Sequence, residues 1–157
     1  MSRSKGFSLI ELLIVVAIIL IIAAIAIPNL IRSKIAANEA SAISSVRTMS
    51  TAETTYAQTY PSIGYTCTIS DLGPGASVSS TSAGILDSQL ASGTKAGYTF
   101  SLANCAGAPI SSYNSGAVPL TPGASGSRAF CSNASGVLYY AVDGTLATCQ
   151  GSGIVLQ

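Results

Sequence analysis

The pattern of apolar and polar residues divides the chain into three parts. An uncharged apolar run extends from Leu12 to Ile31, and the segment from Phe7 to Ile27 has 21 residues, interrupted by one acid at Glu11. A helix of that length spans roughly 30 Å, the thickness of a bilayer's hydrocarbon core. The segment therefore predicts a helix that can cross a membrane, and Arg3 and Lys5 before it favour a cytoplasmic N-terminus.

The helical pattern continues after Pro28, but it becomes amphipathic. No Gly or Pro follows until Pro61, and the opposite face is rich in Ser and Thr and carries Arg47 and Glu53. We predict one helix from about Phe7 to Tyr60, interrupted or bent at Pro28, because proline lacks an N–H and clashes with the preceding turn. The apolar residues recur mostly at three- and four-residue intervals: Ile35, Ala42, Ile43, Val46, Met49, Tyr56 and Tyr60. We interpret the two tyrosines as core residues rather than as an aromatic track.

Beyond Pro61 the pattern changes from helix to loop and then to strands. We expect the stretch 61–97 to be irregular, with a turn cluster at Ser70–Gly75 and a short helix near Ile85–Leu90. Strand candidates are Tyr98–Leu102, Ser127–Ser132, Val137–Val142 and, after a turn at Asp143 and Gly144, Thr145–Cys149. The predicted fold class is α+β, with the long helix packed on an antiparallel sheet of three to four strands.

Composition excludes several functional classes. Charged residues make up 8% of the chain and the net charge is +1, so we expect no direct nucleic-acid binding. Histidine is absent, which excludes His-based triads and imidazole zinc sites. Beyond the long helix, the carboxylates Asp71, Asp87 and Asp143 lie in turns and at a helix start, where a catalytic pair is not expected. We therefore predict a protein that is not an enzyme and has no cofactor.

The C-terminal part contains two candidate binding or modification sites. Calcium takes six to eight oxygen ligands, whereas Asp143 and Asn133 with backbone carbonyls make a small set, so no metal site is predicted. Asn133-Ala134-Ser135 matches an N-glycosylation sequon, and the many Ser and Thr are alternative sites for O-linked sugar.

The cysteines indicate an exported domain. Cys67, Cys105, Cys131 and Cys149 are even in number, follow the apolar run and contain no C-x-x-C motif. We predict two disulfides, for which three connectivities are possible. The sequential one, Cys67 with Cys105 and Cys131 with Cys149, is favoured because it closes the shorter loops.

Glu11 is the anomalous residue of the apolar segment. A charge at mid-bilayer costs roughly 2.5 to 3.5 kcal/mol, and a simple membrane anchor gains nothing from it. Cleavage between Gly6 and Phe7 would create an α-amino group four residues before Glu11, in the same chain or in a neighbouring one. A cleaved secretory signal ending near Ala23–Ala26 and a plain signal anchor are the alternatives.

The residues Lys5 to Glu11, K-G-F-S-L-I-E, the apolar stretch after them and Pro28 together resemble the class III signal of type IV prepilins and pseudopilins. The resemblance implies cleavage by prepilin peptidase after Gly6, N-methylation of Phe7, alignment of incoming subunits by Glu11 and a helix kink at Pro28. Family members often have a glycine at the position of Leu20, so the start of any unwound stretch before Pro28 is not defined here.

The resemblance implies a domain organisation and a function. Residues 1–6 would be the leader, 7–28 the transmembrane and assembly helix, 29–60 the amphipathic half, and 61–157 the αβ loop and disulfide-bonded β domain. We expect a type IV pilus subunit that assembles into a homo-oligomeric helical filament. Its partners would be the membrane, prepilin peptidase and the pilus assembly machinery. It would move from the bacterial inner membrane to the cell surface. A type II secretion pseudopilin or minor pilin, and a membrane-anchored binding module that never polymerises, are the alternatives.

Overall fold

The elements of the chain follow one another in a simple order, one long helix and then an antiparallel sheet. The computed structural model describes residues 7–156. Within them, neighbouring strands of the sheet are also neighbours in the sequence, and every pair is antiparallel. The elements are α1 (Leu9–Thr59), a 3-10 helix (Ile69–Leu72), α2 (Ser88–Ala91), β1 (Thr94–Lys95), β2 (Tyr98–Gly107), β3 (Ile110–Pro119), β4 (Ala129–Asn133), β5 (Leu138–Ala141), α3 (Leu146–Ser152) and β6 (Ile154–Val155). The α+β class is as predicted.

Helix α1 is continuous where the sequence predicted an interruption or a bend. Pro28 lies inside the helix, and so does Leu20. The proline ring removes one intrahelical hydrogen bond, to the carbonyl of Ala24, but the turns on both sides remain helical. The predicted interruption is therefore absent from this structure, and a bend at Pro28 stays a prediction.

The chain forms two compact units, divided between Lys34 and Ile35. In the first unit, residues 7–31, here called the stem, have an apolar surface on every side. Each large apolar side chain from Phe7 to Ile31 is between 46% and 85% exposed. Since water is an unfavourable environment for such a surface, the stem requires an apolar cover.

In the second unit, residues 35–156, here called the head, one face of α1 packs on the sheet. Its buried apolar residues are Ala42, Val46, Met49, Ala52 and Tyr56, and they share a core with Phe100, Ala117, Phe130 and Leu138. The predicted helical face is thus the buried one, with one correction. Glu53 was assigned to the polar face, but it is fully buried, because it lies one helical turn after Met49.

The sheet has six strands rather than three or four. Strands β1 and β6 have two residues each, too few to show an alternating pattern. Strand β3 was missed because its sequence, I-S-S-Y-N-S-G-A-V-P, is mostly small and polar. The predicted strand Thr145–Cys149 is wrong: this segment begins helix α3, whose N-cap Thr145 accepts a hydrogen bond from the Thr148 N–H.

A partly buried ion pair joins α1 to the residue before β4. Glu39 Oε2 accepts hydrogen bonds from Arg128 Nε at 2.9 Å and Nη2 at 2.6 Å, and Oε1 accepts from the backbone N–H groups of Ser127 and Arg128. Burial opposes ionisation of Glu39, but the hydrogen bonds from Arg128 and Ser127 outweigh it and hold the pKa of this carboxyl below its usual value. The guanidinium also lies over the rings of Phe130 and Tyr140.

A second buried carboxylate, Glu53, joins α1 to the loop that follows it. Glu53 Oε2 accepts the backbone N–H of Thr66 at 2.9 Å, while Oε1 is buried without a partner among residues 7–156. Burial raises the pKa of Glu53 to about 7, opposed by the Thr66 hydrogen bond and reinforced by the negative charge of Asp71. Burial therefore favours the protonated form of this side chain more than water does, and the two forms are equally populated near pH 7.

Replacing Arg128 by Met should destabilise the head by about 2–3 kcal/mol, because it leaves the buried Glu39 carboxylate with backbone donors alone. Arg128 is 38% exposed, so the loss should be smaller than that for a fully buried pair. Lys95→Met is the matched control, since Lys95 pairs with Asp87 at the surface and should contribute at most about 0.5 kcal/mol. Chemical denaturation of the full-length protein in detergent measures both, and equal losses would contradict the assignment.

Glu53→Gln should remove a pH dependence of stability. The folded pKa of Glu53, about 7, exceeds the ordinary 4.5, so its stabilising effect is complete below pH 4.5 and is lost as pH rises through 7. Wild type should lose about 2–3 kcal/mol over this window from this group. The variant keeps an acceptor for the Thr66 N–H and should show a flatter profile. Denaturation curves from pH 5 to 8 test this, and identical slopes would refute it.

Candidate functional site

The start of α1 is a capping box formed by two of the residues in the signal-like motif. Ser8 Oγ accepts the backbone N–H of Ile10 at 3.3 Å, and Glu11 Oε2 accepts the backbone N–H of Ser8 at 2.9 Å. The backbone N–H of Leu12 donates to the Ser8 carbonyl. Two N–H groups that the helix leaves free are thereby satisfied by side chains of the same turn.

This capping box was missed in the sequence, although its signal was present. Ser8 and Glu11 have the S-x-x-E spacing that defines the motif. Contrary to the expectation from the sequence, a simple membrane anchor does gain from Glu11, since the carboxylate caps the helix and lies at the positive end of its dipole. Glu11 therefore has a structural role in the single chain that does not depend on assembly.

The proposed cleavage point lies at the edge of the described structure. Phe7 is 85% exposed and precedes α1 by two residues, whereas Gly6 lies outside the described residues. Glu11 is on the first turn of the helix, so it stays close to any new terminus formed at Phe7. Cleavage and methylation of Phe7 remain predictions.

The helix is long and apolar enough in its first part to cross a membrane. Its apolar surface ends at Ile31, and Arg32 and Lys34 follow, both exposed. These two cations follow an apolar segment long enough to cross a bilayer, so they suit the polar boundary on the side opposite the N-terminus. Pro28, exposed within the same helix, lies one turn before this boundary.

Both disulfides have the sequential connectivity that the sequence favoured. Cys67 pairs with Cys105, which fastens the loop after α1 to β2. Cys131 in β4 pairs with Cys149 in α3, with both sulfurs buried in a small cluster with Ala129 and Ala141. Each bridge therefore ties a segment of weak intrinsic structure to the sheet.

The two residues considered as calcium ligands are not brought together. Strands β4 and β5 pair Ala129 with Ala141 and Ser132 with Leu138, so Asn133 and Asp143 lie at opposite ends of this hairpin. Asp143 Oδ2 instead accepts the hydroxyls of Thr145 and Thr148. Among residues 7–156, no group of three or more His, Cys, Asp or Glu residues is gathered as a metal site would require.

The sequon lies on the turn between β4 and β5. Asn133 Oδ1 accepts the backbone N–H of Ser135 at 2.9 Å, and the Gly136 N–H donates to the Asn133 carbonyl. Gly136 has a φ of 75°, which closes the turn. Ala134, Ser135 and Gly136 are exposed. This turn is accessible, and glycosylation there stays untested.

Tyr56 and Tyr60 lie on the core side of the helix. Their ring centroids are 4.9 Å apart, and the Tyr56 hydroxyl donates to the Ser80 carbonyl at 2.7 Å. Burial, with the charge of Asp71 and the nearby Tyr60 and Glu53, raises the pKa of Tyr56. Tyr56 is a packing residue with its hydroxyl at the rim of the core, as expected.

Comparison with known proteins gives matches to short segments of the chain. Residues 1–27 match the family model described as the prokaryotic N-terminal methylation motif. The chain is 46% identical over 54 residues to the type IV major pilin protein PilA of Myxococcus xanthus, which covers 34% of this chain and 24% of that protein. It is 59% identical over 39 residues to the type IV wide pilus major component PilA4 of Thermus thermophilus.

The second match covers 25% of this chain and 30% of that protein. The chain thus spans less than a third of the length of either curated relative. No solved structure matches the chain significantly. The family model covers the segment that contains Phe7 and Glu11.

Proposed function

We propose that the chain, which carries the N-terminal methylation motif and is similar to type IV major pilins, is the structural subunit of a type IV pilus filament. In this proposal the prepilin is inserted in the inner membrane with its head outside. It is then cleaved between Gly6 and Phe7, methylated on Phe7 and polymerised through the stem.

The observation that carries the proposal is the apolar stem, exposed on all sides. A stem buried in its own domain would need no partner, but every large apolar side chain from Phe7 to Ile31 is at least 46% exposed. Lipid covers such a surface in the monomer, and identical stems cover it equally well in a filament. The same helix therefore suits both the monomer in the membrane and the subunit in the filament.

Glu11 gives the stem a direction and a register. Its carboxylate is the one charged group of the stem, and it lies on the first turn of α1. In an apolar bundle an unpaired carboxylate is costly, so subunits should pack in the register that provides a cation. The α-amino group of Phe7, formed by cleavage, is the cation closest to this position in sequence. Prepilin peptidase and the assembly machinery are the partners this pathway requires.

The head is the part that would face solvent on the filament. Its two disulfides, Cys67–Cys105 and Cys131–Cys149, fit an oxidising location outside the cytoplasm. The named relatives are pilus components, which is consistent with a structural rather than an enzymatic role. After assembly the protein would lie on the cell surface.

The mature protein should begin at Phe7, with a methylated α-amino group. Intact-mass and N-terminal peptide spectra of protein from surface fractions test this, with the membrane-embedded precursor of a peptidase-deficient strain as the control. A functional surface protein that retains residues 1–6, or is cut near Ala23–Ala26, would refute the processing step.

Glu11→Gln and Ser8→Ala should separate assembly from helix capping. Gln retains a capping-box acceptor but has no charge, so the variant should insert normally and yield about tenfold fewer filaments. Ser8→Ala removes the hydroxyl cap, at roughly 1 kcal/mol, but keeps the carboxylate, so filaments should persist. Filament counts by electron microscopy, normalised to membrane-bound protein, give the readout. Unimpaired assembly of Glu11→Gln would favour an anchored module that does not polymerise.

A further inference from the structure

Two opposite charges of the head are exposed and take part in no ion pair among residues 35–156. The ion pairs there are Lys95 with Asp87 and Arg128 with Glu39. Arg47 and Asp143, by contrast, are both exposed. The remaining acids of the head are Glu53, which is buried, and Asp71, which is half-buried and accepts the Thr66 hydroxyl.

Arg47 lies in a groove between α1 and the β4–β5 turn. The groove has a volume of about 560 Å³, and its walls include Thr51, Thr54 and Ala134. The Thr51 and Thr54 hydroxyls donate to the carbonyls of Arg47 and Ser50, one helical turn earlier. These hydroxyls are satisfied inside the helix, so Thr51 and Thr54 add methyl groups to a mixed wall in which Arg47 is the single cation and Gln58 is one of the polar residues. Such a groove suits a segment that combines one carboxylate with a small apolar side chain.

Asp143 lies on a turn with that combination. Its Oδ1 accepts the Thr145 N–H at 3.0 Å, and its Oδ2 accepts the hydroxyls of Thr145 at 2.9 Å and Thr148 at 2.6 Å. Val142 beside it is 69% exposed. Because the carboxylate is already fixed by these bonds, binding it would require little further ordering.

The groove and the turn lie at opposite ends of the β4–β5 hairpin. The turn that lines the groove, residues 134–136, joins the Ser132–Leu138 end of the pairing, whereas Val142 and Asp143 follow its Ala129–Ala141 end. Two different, complementary patches at separate places on one head meet the requirement for a heterologous contact, which repeats from copy to copy without closing.

We propose that the Val142–Asp143 turn of one copy docks in the Arg47 groove of a second copy, as a contact between the heads of successive subunits in the filament. The proposal rests on the filament function. It adds a specific polar contact between heads to the apolar contact between stems. Stem packing covers apolar surface, and the Arg47–Asp143 pair selects which heads are neighbours.

Charge reversal in the full-length protein tests the pairing. Arg47→Glu and Asp143→Arg each place like charges at the contact, so each should lower the amount of sheared filament about tenfold relative to the membrane pool. The double reversal should restore it to within about threefold of wild type. Arg47→Lys, which keeps the charge, is the matched control and should assemble like wild type. Membrane abundance and intact disulfides on non-reducing gels verify folding.

A photo-crosslinking residue at Thr51 of the otherwise wild-type chain provides a second measurement that needs no reversal. In filaments it should form dimers in which the peptide containing Val142 and Asp143 is joined to the α1 peptide. Normal assembly of both single reversals, failure of the double reversal to restore filaments, or crosslinks to other segments would overturn the docking while leaving the filament function intact. Absence of wild-type filaments would instead refute the filament function itself.

Discussion

The constraint on which the rest of the account depends is the apolar cover that the stem needs. Burying one large aliphatic side chain is worth about 1.5 to 3 kcal/mol, and the stem carries such side chains over residues 7–31. Their sum exceeds the roughly 5–15 kcal/mol by which a whole domain is stable. The stem is therefore not expected to remain in water, and in the proposed pathway the protein's location at each stage follows from what covers this helix.

Lipid and neighbouring stems are about equally apolar, so moving the stem from one to the other is nearly neutral in hydrophobic free energy. Small polar contributions to the free energy then decide whether the stem stays in lipid or packs against neighbouring stems. Glu11 is the charged group that supplies such a term within the stem. In the described structure it is partly satisfied by the Ser8 N–H, which lowers the penalty of inserting the monomer. A cation offered by processing would add an interaction that lipid does not provide.

The head has a different structural requirement, because its small sheet must stay packed on the second half of α1. Glu39 and Arg128 fix one part of this contact through four hydrogen bonds to one carboxylate. Glu53 fixes the following loop through Thr66. The bridges Cys67–Cys105 and Cys131–Cys149 fasten segments that contribute little to the apolar core. In the proposed filament, assembly and the stability of the head are therefore assigned to separate parts of one helix.

The sequence predicted the features that depend on long patterns. The apolar stem, the amphipathic half with Val46 and Met49, and the order of helix and sheet follow from periodicity summed over many residues. The features it missed depend on a few local bonds or on tertiary contacts. Thr145 and Thr148 favour helix α3 over a strand, and the burial of Glu53 is tolerated because Thr66 supplies a donor.

Within the candidate site, Phe7 and Glu11 were identified from the sequence because they belong to a motif. The Arg47 groove and the connection between Glu39 and Arg128 were missed because residues distant in sequence give no periodic signal.

The central claim, that the stem exchanges lipid for neighbouring stems, is tested most directly by cryo-electron microscopy of sheared surface filaments. The account predicts a helical polymer whose interior is formed by residues 7–31 of successive subunits, with the heads on the outside. Filaments in which these helices are absent from the interior, or a protein that is found only as single copies with its stem in lipid, would contradict it.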